Sequence, residues 1–201
     1  MNAHRGSRGD DGQVTKGVAV VRGASRTVAR RVVLAAFAVV YPSLLVIGVL
    51  DTLVWMPQYI APTTPLNRIY SVLADAGSLG GVVLSPVLWL LLWGVVGFAY
   101  LVVFLPVHPK FRRVGAAVPL LSVVGIGLVV VGAMAFFQWW SGFAMGMEVS
   151  DELPPGVGAS TPFSLFCFIG GSFVALTGGA FWLASAARAA QLRRRLAGTA
   201  E

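Results

Sequence analysis

Four long stretches without a single charged side chain constrain this chain more than any other feature. They cover residues 32–50, 82–105, 114–140 and 162–187, and Asp51 closes the first. A bilayer hydrocarbon core about 30 Å thick needs roughly 20 helical residues at 1.5 Å rise. All four stretches reach or nearly reach that length. Transmembrane strands need about 10 residues with polar alternation, which these stretches lack. The expectation is an all-α membrane protein of four transmembrane helices, spanning about 32–54, 82–105, 114–140 and 162–187. Basic tails at 1–31 and 188–201 flank this domain. The composition agrees: 11% of the residues are charged, less than half the roughly 25% of soluble domains. Disorder of the bulk chain is excluded, because disorder needs low hydrophobicity and high charge.

The basic residues predict the orientation. Arg5, Arg8, Lys16, Arg22, Arg26, Arg30 and Arg31 precede the first span. Lys110, Arg112 and Arg113 lie between spans two and three, and Arg188, Arg193, Arg194 and Arg195 follow span four. Only Arg68 lies on the other side, with Asp51, Asp75, Glu148, Asp151 and Glu152. The positive-inside rule makes the crowded side cytoplasmic, so both termini are expected inside a bacterial plasma membrane. The polar leader is too long for a cleavable signal, so the first span is expected to act as a signal anchor. Residues 1–15 read as a disordered tail. From Val18 onward Arg22, Arg26 and Arg30 recur every four residues, as one face of a helix would.

The connections differ in character. The link 106–113 is short, so spans two and three are expected to be antiparallel neighbours. In the first outer loop, Thr64 before Pro65 is a helix-start signal. Leu66, Ile69, Tyr70 and Leu73 share one face there, and Gly77 can end the turn. A short amphipathic helix over 65–76 follows. The second outer loop, 141–161, carries Glu148, Asp151, Glu152 and then Pro154-Pro155-Gly156, and reads as flexible and acidic. Pro42, Pro86 and Pro119 are candidate kinks in spans one, two and three.

Catalytic chemistry finds little footing. Membrane enzymes and ion-coupled transporters keep ionisable groups inside their spans, and the four stretches hold none. Asp51 falls about 28 Å of helix from Val32, at the outer interface, where water or Arg68 can partner it. Gln138 reads as an interfacial polar residue beside Trp139 and Trp140. Gly170-Gly171-Ser172-Phe173 has Phe173 where the rhomboid-type Gly-x-Ser-Gly nucleophile has its last glycine. The two histidines, His4 and His108, are both placed in the cytoplasm, so Ser172 has no base. They are too few for zinc, and no phosphate-binding glycine loop with its Lys-Ser/Thr occurs. The single cysteine, Cys167, excludes an internal disulfide and reads as apolar filler. No cofactor, metal or nucleic-acid partner is expected, and the chain is expected not to be an enzyme.

Two helix faces carry packing information. Gly171, Ala175 and Gly179 form a small-residue row on span four, which lets another helix approach closely. Gly125, Gly127 and Gly132 on span three offer a facing surface. Trp89, Trp93, Tyr100 and Phe104 share one face of span two. These faces suit packing inside the bundle or against a partner. The economical expectation is therefore a non-catalytic accessory subunit of a larger inner-membrane complex, with lipids and other integral membrane subunits as partners. Two lysines against thirteen arginines, with abundant Ala, Val and Gly, point to a GC-rich bacterium of actinobacterial type. In that setting an envelope lipid-transport system is favoured, because haem and metal ligands are lacking. A small homo-oligomeric transporter or pore, or a respiratory accessory subunit, is the alternative.

Overall fold

The computed structural model describes residues 11–105, 117–153 and 160–198, with the backbone alone for 11–26. Helices make up nearly all of it, and no strand occurs among the described residues. Helix α1 (Asp11–Leu50) runs through a π-helical turn (Asp51–Trp55) into α2 (Met56–Ile60). Then come α3 (Leu66–Asp75), α4 (Leu79–Phe104), α5 (Leu120–Glu152) and α6 (Pro162–Ala197). Among the described residues, four helical segments are long and apolar enough to cross a membrane: Thr27–Ile60, Leu79–Phe104, Leu120–Glu152 and Pro162–Ala197. The chain is a multi-pass membrane protein by this measure.

Several boundaries differ from the sequence reading. Helix α1 begins at Asp11, inside the stretch read as a disordered tail. The first span continues past Asp51 to Ile60. Half of the expected acidic loop is helix, because α5 runs on to Glu152. There Ser141, Met145 and Val149 turn inward at helical spacing while Asp151 and Glu152 face outward, so charges at the helix end do not break it. Pro119 kinks nothing, since it caps the start of α5. Pro42 and Pro86 do lie inside α1 and α4. The link 106–113 and the Pro154-Pro155-Gly156 run lie outside the described residues.

Hydrogen bonds between helices fix their relative directions. Tyr100 and Trp89 of α4 donate to the carbonyls of Val123 and Met134 on α5, and Ser85 donates to that of Ser141. As one number falls the other rises, so the pair is antiparallel. The same reasoning makes α1 and α4 antiparallel, through Arg30 with Phe104 and Tyr41 with Trp93. Helices α5 and α6 are antiparallel through the Ser122–Ser185 hydrogen bond and the close backbone approach of Gly132 and Gly171. Successive spans therefore alternate in direction. One end of the bundle holds Arg30, Arg31, Arg188 and Arg193–Arg195. The opposite end is capped by α2, α3 and the far end of α5.

Aromatic rings seated on glycines hold α1, α4 and α5 together. A Cβ on Gly48 would lie 2.8 Å from the Trp89 ring, and one on Gly127 would lie 2.7 Å from the Tyr100 hydroxyl. A Cβ on Gly97 would overlap the Tyr41 ring. Each phenol then spends its hydroxyl on a carbonyl of the facing helix, 2.6 Å from Tyr41 to Trp93 and 2.8 Å from Tyr100 to Val123. Buried Tyr and Trp need such partners for their polar ends. Phe37 stacks between Tyr41 and Tyr100, with centroids 4.8 and 4.2 Å away.

Helix α6 packs differently, by close backbone approach. A Cβ on Gly178 would lie 2.5 Å from the Gly125 carbonyl oxygen, and one on Gly171 would lie 2.7 Å from that of Gly132. Its buried positions Ser164, Cys167, Gly171, Gly178 and Ser185 form one narrow stripe. Phe168 adds ring contacts to Phe136 and Trp139 of α5, each with centroids 4.9 Å apart, while Leu165, Phe166, Ile169, Phe173, Leu176 and Leu183 are exposed.

The cap forms a second core of Met56, Ile60, Ile69, Leu73, Val82, Met145 and Val149. Helix α3 ends where Gly77 takes a φ of 79°. The Ser78 and Gly77 amides bond the Leu73 and Ala74 carbonyls, each at 3.0 Å, a Schellman closure that glycine's freedom permits. The Thr64 hydroxyl does not cap α3. Pro65 takes the cap position, without a side-chain bond.

Candidate functional site: a buried carboxylate between spans

Asp51 stands at the first residue of the π-helical turn and is 0% exposed, with Thr52 beside it at 1%. In an α-helix successive side chains diverge by about 100°. The wider π turn brings Asp51 and Thr52 toward the same interior. Its chemical setting is clear: Pro57 has no N–H to return to the Leu53 carbonyl four residues earlier, and the Tyr70 hydroxyl of α3 bonds that carbonyl instead at 2.6 Å. Tyr70 is thereby half-buried, and burial raises its phenol pKa above 10.0. π turns inside α-helices recur at functional sites.

Two donors face the carboxylate. The Thr161 hydroxyl donates to Oδ1 at 2.8 Å, and Gln138 Nε2 donates to Oδ2 at 2.9 Å. Thr161 is also the N-cap of α6, and its oxygen accepts the Ser164 amide at 3.0 Å. Asp51 therefore sits at the positive end of a helix dipole, where negative charge is stabilised. Gln138 is 2% exposed, and its Nε2 also lies 3.4 Å from the Gly48 carbonyl and 3.5 Å from the Thr52 hydroxyl. With three oxygens around that nitrogen, the amide orientation is settled by its neighbours. Gln138 Oε1 and Ser141 Oγ are buried and accept or donate no hydrogen bond. A cleft of about 10 Å³ lies next to the cluster, lined by Gly48, Trp89, Met134, Gln138, Phe163 and Cys167 among others.

Two sequence expectations are corrected here. Asp51 and Gln138 are buried, not open to water, and the apolar helical segment continues past Asp51 to Ile60. The spans are therefore not free of ionisable groups. Arg68 is exposed on α3 and makes no ion pair with Asp51. It serves no part of this cluster.

The packing residues fall as follows. Trp89, Trp93, Tyr100 and Phe104 are all buried in the main core, so this face is consumed inside the molecule and offers no partner surface. Gly171 and Ala175 lie against Gly132, whereas a Cβ on Gly179 would meet nothing within 4 Å. Gly178 takes its place. Seven residues turn a helix to within about 20° of the starting direction, and eight overshoot by about 80°. Ser172 donates to the Phe168 carbonyl on its own helix at 2.7 Å, so its hydroxyl is already committed. Thr161, Thr52, Ser141 and Gly48 were missed as site residues. Thr161-Pro162 repeats the cap-then-proline signal read at Thr64-Pro65, so the sequence held a sign of a helix start there, although not of its carboxylate partner.

Among the described residues no group of three His, Cys, Asp or Glu side chains comes together. Fold and site together define a multi-pass helical membrane protein with one carboxylate enclosed between its spans. Comparison with protein-family models, with curated proteins and with solved structures finds no match to this chain.

Proposed function

We propose that the chain is a non-catalytic accessory subunit that assembles with and stabilises a larger complex of the bacterial inner membrane. The observation that carries this reading is the placement of α6. A stripe of small residues and the Phe168 ring hold it to α5, while Leu165, Phe166, Ile169, Phe173, Leu176 and Leu183 point away from the protein. A peripheral helix with a long open apolar face suits docking against another membrane subunit, with lipid covering the remainder. The basic end is taken as cytoplasmic by the positive-inside rule, which puts both termini inside and α3 on the outer surface. Envelope lipid transport is the favoured setting, because the sequence lacks haem and metal ligands.

Purification from native membranes in mild detergent, followed by mass spectrometry, tests the reading. Co-purifying subunits are expected, and Phe173→Ala with Leu176→Ala should release them. Leu91→Ala with Phe98→Ala, equally open on α4, should not. A protein that purifies alone from native membranes would overturn the proposal.

The second reading, a homo-oligomeric transporter, is favoured by one observation: Asp51 is an ionisable group enclosed between spans, and such groups often mark ion pathways. Flux into liposomes holding the purified protein alone decides for it, and tight liposomes decide against it.

A further inference from the structure

We infer that Asp51 holds a proton in the folded protein at neutral pH and, as a neutral acid, latches α5 and the start of α6 onto the first span. The residue is 0% exposed, and its side-chain partners are two neutral donors, the Thr161 hydroxyl and Gln138 Nε2. Buried carboxylates that stay ionised sit beside a cation or accept two or three backbone N–H bonds. Asp51 has neither among the described residues. The N-terminus of α6 offers the partial charge of a helix dipole, but its Ser164 amide is spent on the Thr161 oxygen. An isolated charge is costly enough to bury that such groups neutralise instead.

The surrounding elements carry titratable groups of the wrong sign or in the wrong place. Helix α3 bears Arg68 and Asp75, both exposed, and Tyr70, whose hydroxyl is spent on the Leu53 carbonyl. Helix α5 bears Glu148, Asp151 and Glu152, which are acidic and oppose a further negative charge. Helix α6 brings the neutral thiol of Cys167, and its arginines follow Ser185 at the opposite end of the bundle. Tyr59 on α2 is a neutral phenol, Tyr41 on α1 and Tyr100 on α4 each bond a carbonyl, and Arg30 reaches Phe104 at the far end. Nor does water reach the carboxyl from the cleft beside Gln138. That cleft is walled by Leu44, Trp89, Met134, Ala135 and Phe163, and a buried water needs two to four polar partners.

A proton needs no cavity. It fits within the 2.8 Å contact between Oδ1 and Thr161, because a hydroxyl both donates and accepts. The cluster is also short of hydrogens. Gln138 Nε2 lies near three oxygens, and Gln138 Oε1 is buried and accepts nothing, although buried acceptors are nearly always satisfied. An acid hydrogen adds a donor where acceptors are in excess. Asp51 joins the π turn to α5 through Gln138 and to the N-cap of α6 through Thr161. When the proton passes to solvent, one negative charge is left that only water can balance. Water enters only if the start of α6 or the cap of α2 and α3 moves away. The latch is therefore closed with the proton bound and released without it.

The test is infrared spectroscopy of the full chain at neutral pH in a detergent free of ester groups. The C=O stretch of a protonated carboxylic acid should appear, move to lower frequency in D2O and vanish in Asp51→Asn. Exposed Asp and Glu are ionised at that pH and add no such band. Unfolding curves against pH give a second readout. The folded chain keeps on Asp51 a proton that the unfolded chain releases above about pH 4. Wild type should therefore lose stability relative to Asp51→Asn as pH rises, by up to about tenfold in the folding constant per pH unit, until Asp51 itself titrates. The absence of an acid band, a band retained in Asp51→Asn, or parallel pH curves for the two proteins would each overturn the inference. Should Asp51→Asn not fold, Thr161→Val decides: losing the hydroxyl at Oδ1 should displace the band, and an unmoved band refutes the assignment.

Discussion

Adding one methyl group to Gly178 tests how α6 is held. An alanine Cβ there would lie 2.5 Å from the Gly125 carbonyl oxygen, 2.7 Å from the Val129 amide nitrogen and 2.8 Å from the Leu128 Cβ. Ordinary contact begins near 3.4 Å, so α6 must recede by about 0.9 Å along that direction. The obstacles are mainly backbone atoms, which no rotamer change can clear. A gap of 0.5–1 Å forfeits a quarter to a half of a dispersion contact, and it would open along the whole stripe, including Gly171 against Gly132. Overpacking of this kind costs about 1–3 kcal/mol. Gly179→Ala is the control, since its Cβ meets nothing within 4 Å. Both variants share the gain in helix propensity, up to about 1 kcal/mol, so their difference isolates the collision. Equilibrium unfolding in mixed micelles, titrated with a denaturing detergent, measures both. Gly178→Ala should be less stable than Gly179→Ala by at least about 1 kcal/mol. Equal stabilities, or the reverse order, would refute the packing described here.

Three further outcomes are expected. Tyr70 has its pKa raised by burial, so its contribution is complete below pH 10 and is lost as pH rises through its folded-state value. The stability difference between wild type and Tyr70→Phe should therefore shrink above about pH 10 in alkaline unfolding curves, and a difference that stays constant counts against the Leu53 bond. Arg30 reaches across from α1 to the carbonyl of Phe104 at the end of α4, at 3.5 Å, with its guanidinium 5.9 Å from the Phe104 ring. Removing a cation from a helix C-terminus should cost about 0.3–1 kcal/mol, so Arg30→Ala should lose that much in the same unfolding assay, less at high salt. A double-mutant cycle of Ser122→Ala and Ser185→Ala, whose hydroxyls are 2.8 Å apart, should give a coupling near the 0.6 kcal/mol average for interhelical bonds in membranes.

The sequence by itself determined the four long apolar helices and their fitness to cross a membrane. Those follow from local properties: run length, absence of charge and the fixed rise of a helix. It also marked Gly171 and Ala175 as close-approach positions, because small residues at helical spacing admit a neighbour wherever that neighbour stands. Which residues meet was beyond it. The seating of Trp89 on Gly48, Tyr41 on Gly97 and Tyr100 on Gly127 joins residues 27 to 56 positions apart, and no periodicity within one helix names a partner on another. The choice of Gly178 over Gly179 rests on a turn angle that a four-residue pattern blurs. Asp51 shows the division most sharply. From the sequence it ends an uncharged stretch and reads as the point where water begins. In the fold the π turn and α2 carry the span past it, Gln138 arrives from α5, Thr161 arrives with the start of α6, and the cap closes above. Burial is a property of what surrounds a residue, and for Asp51 those surroundings are built from segments remote in the chain.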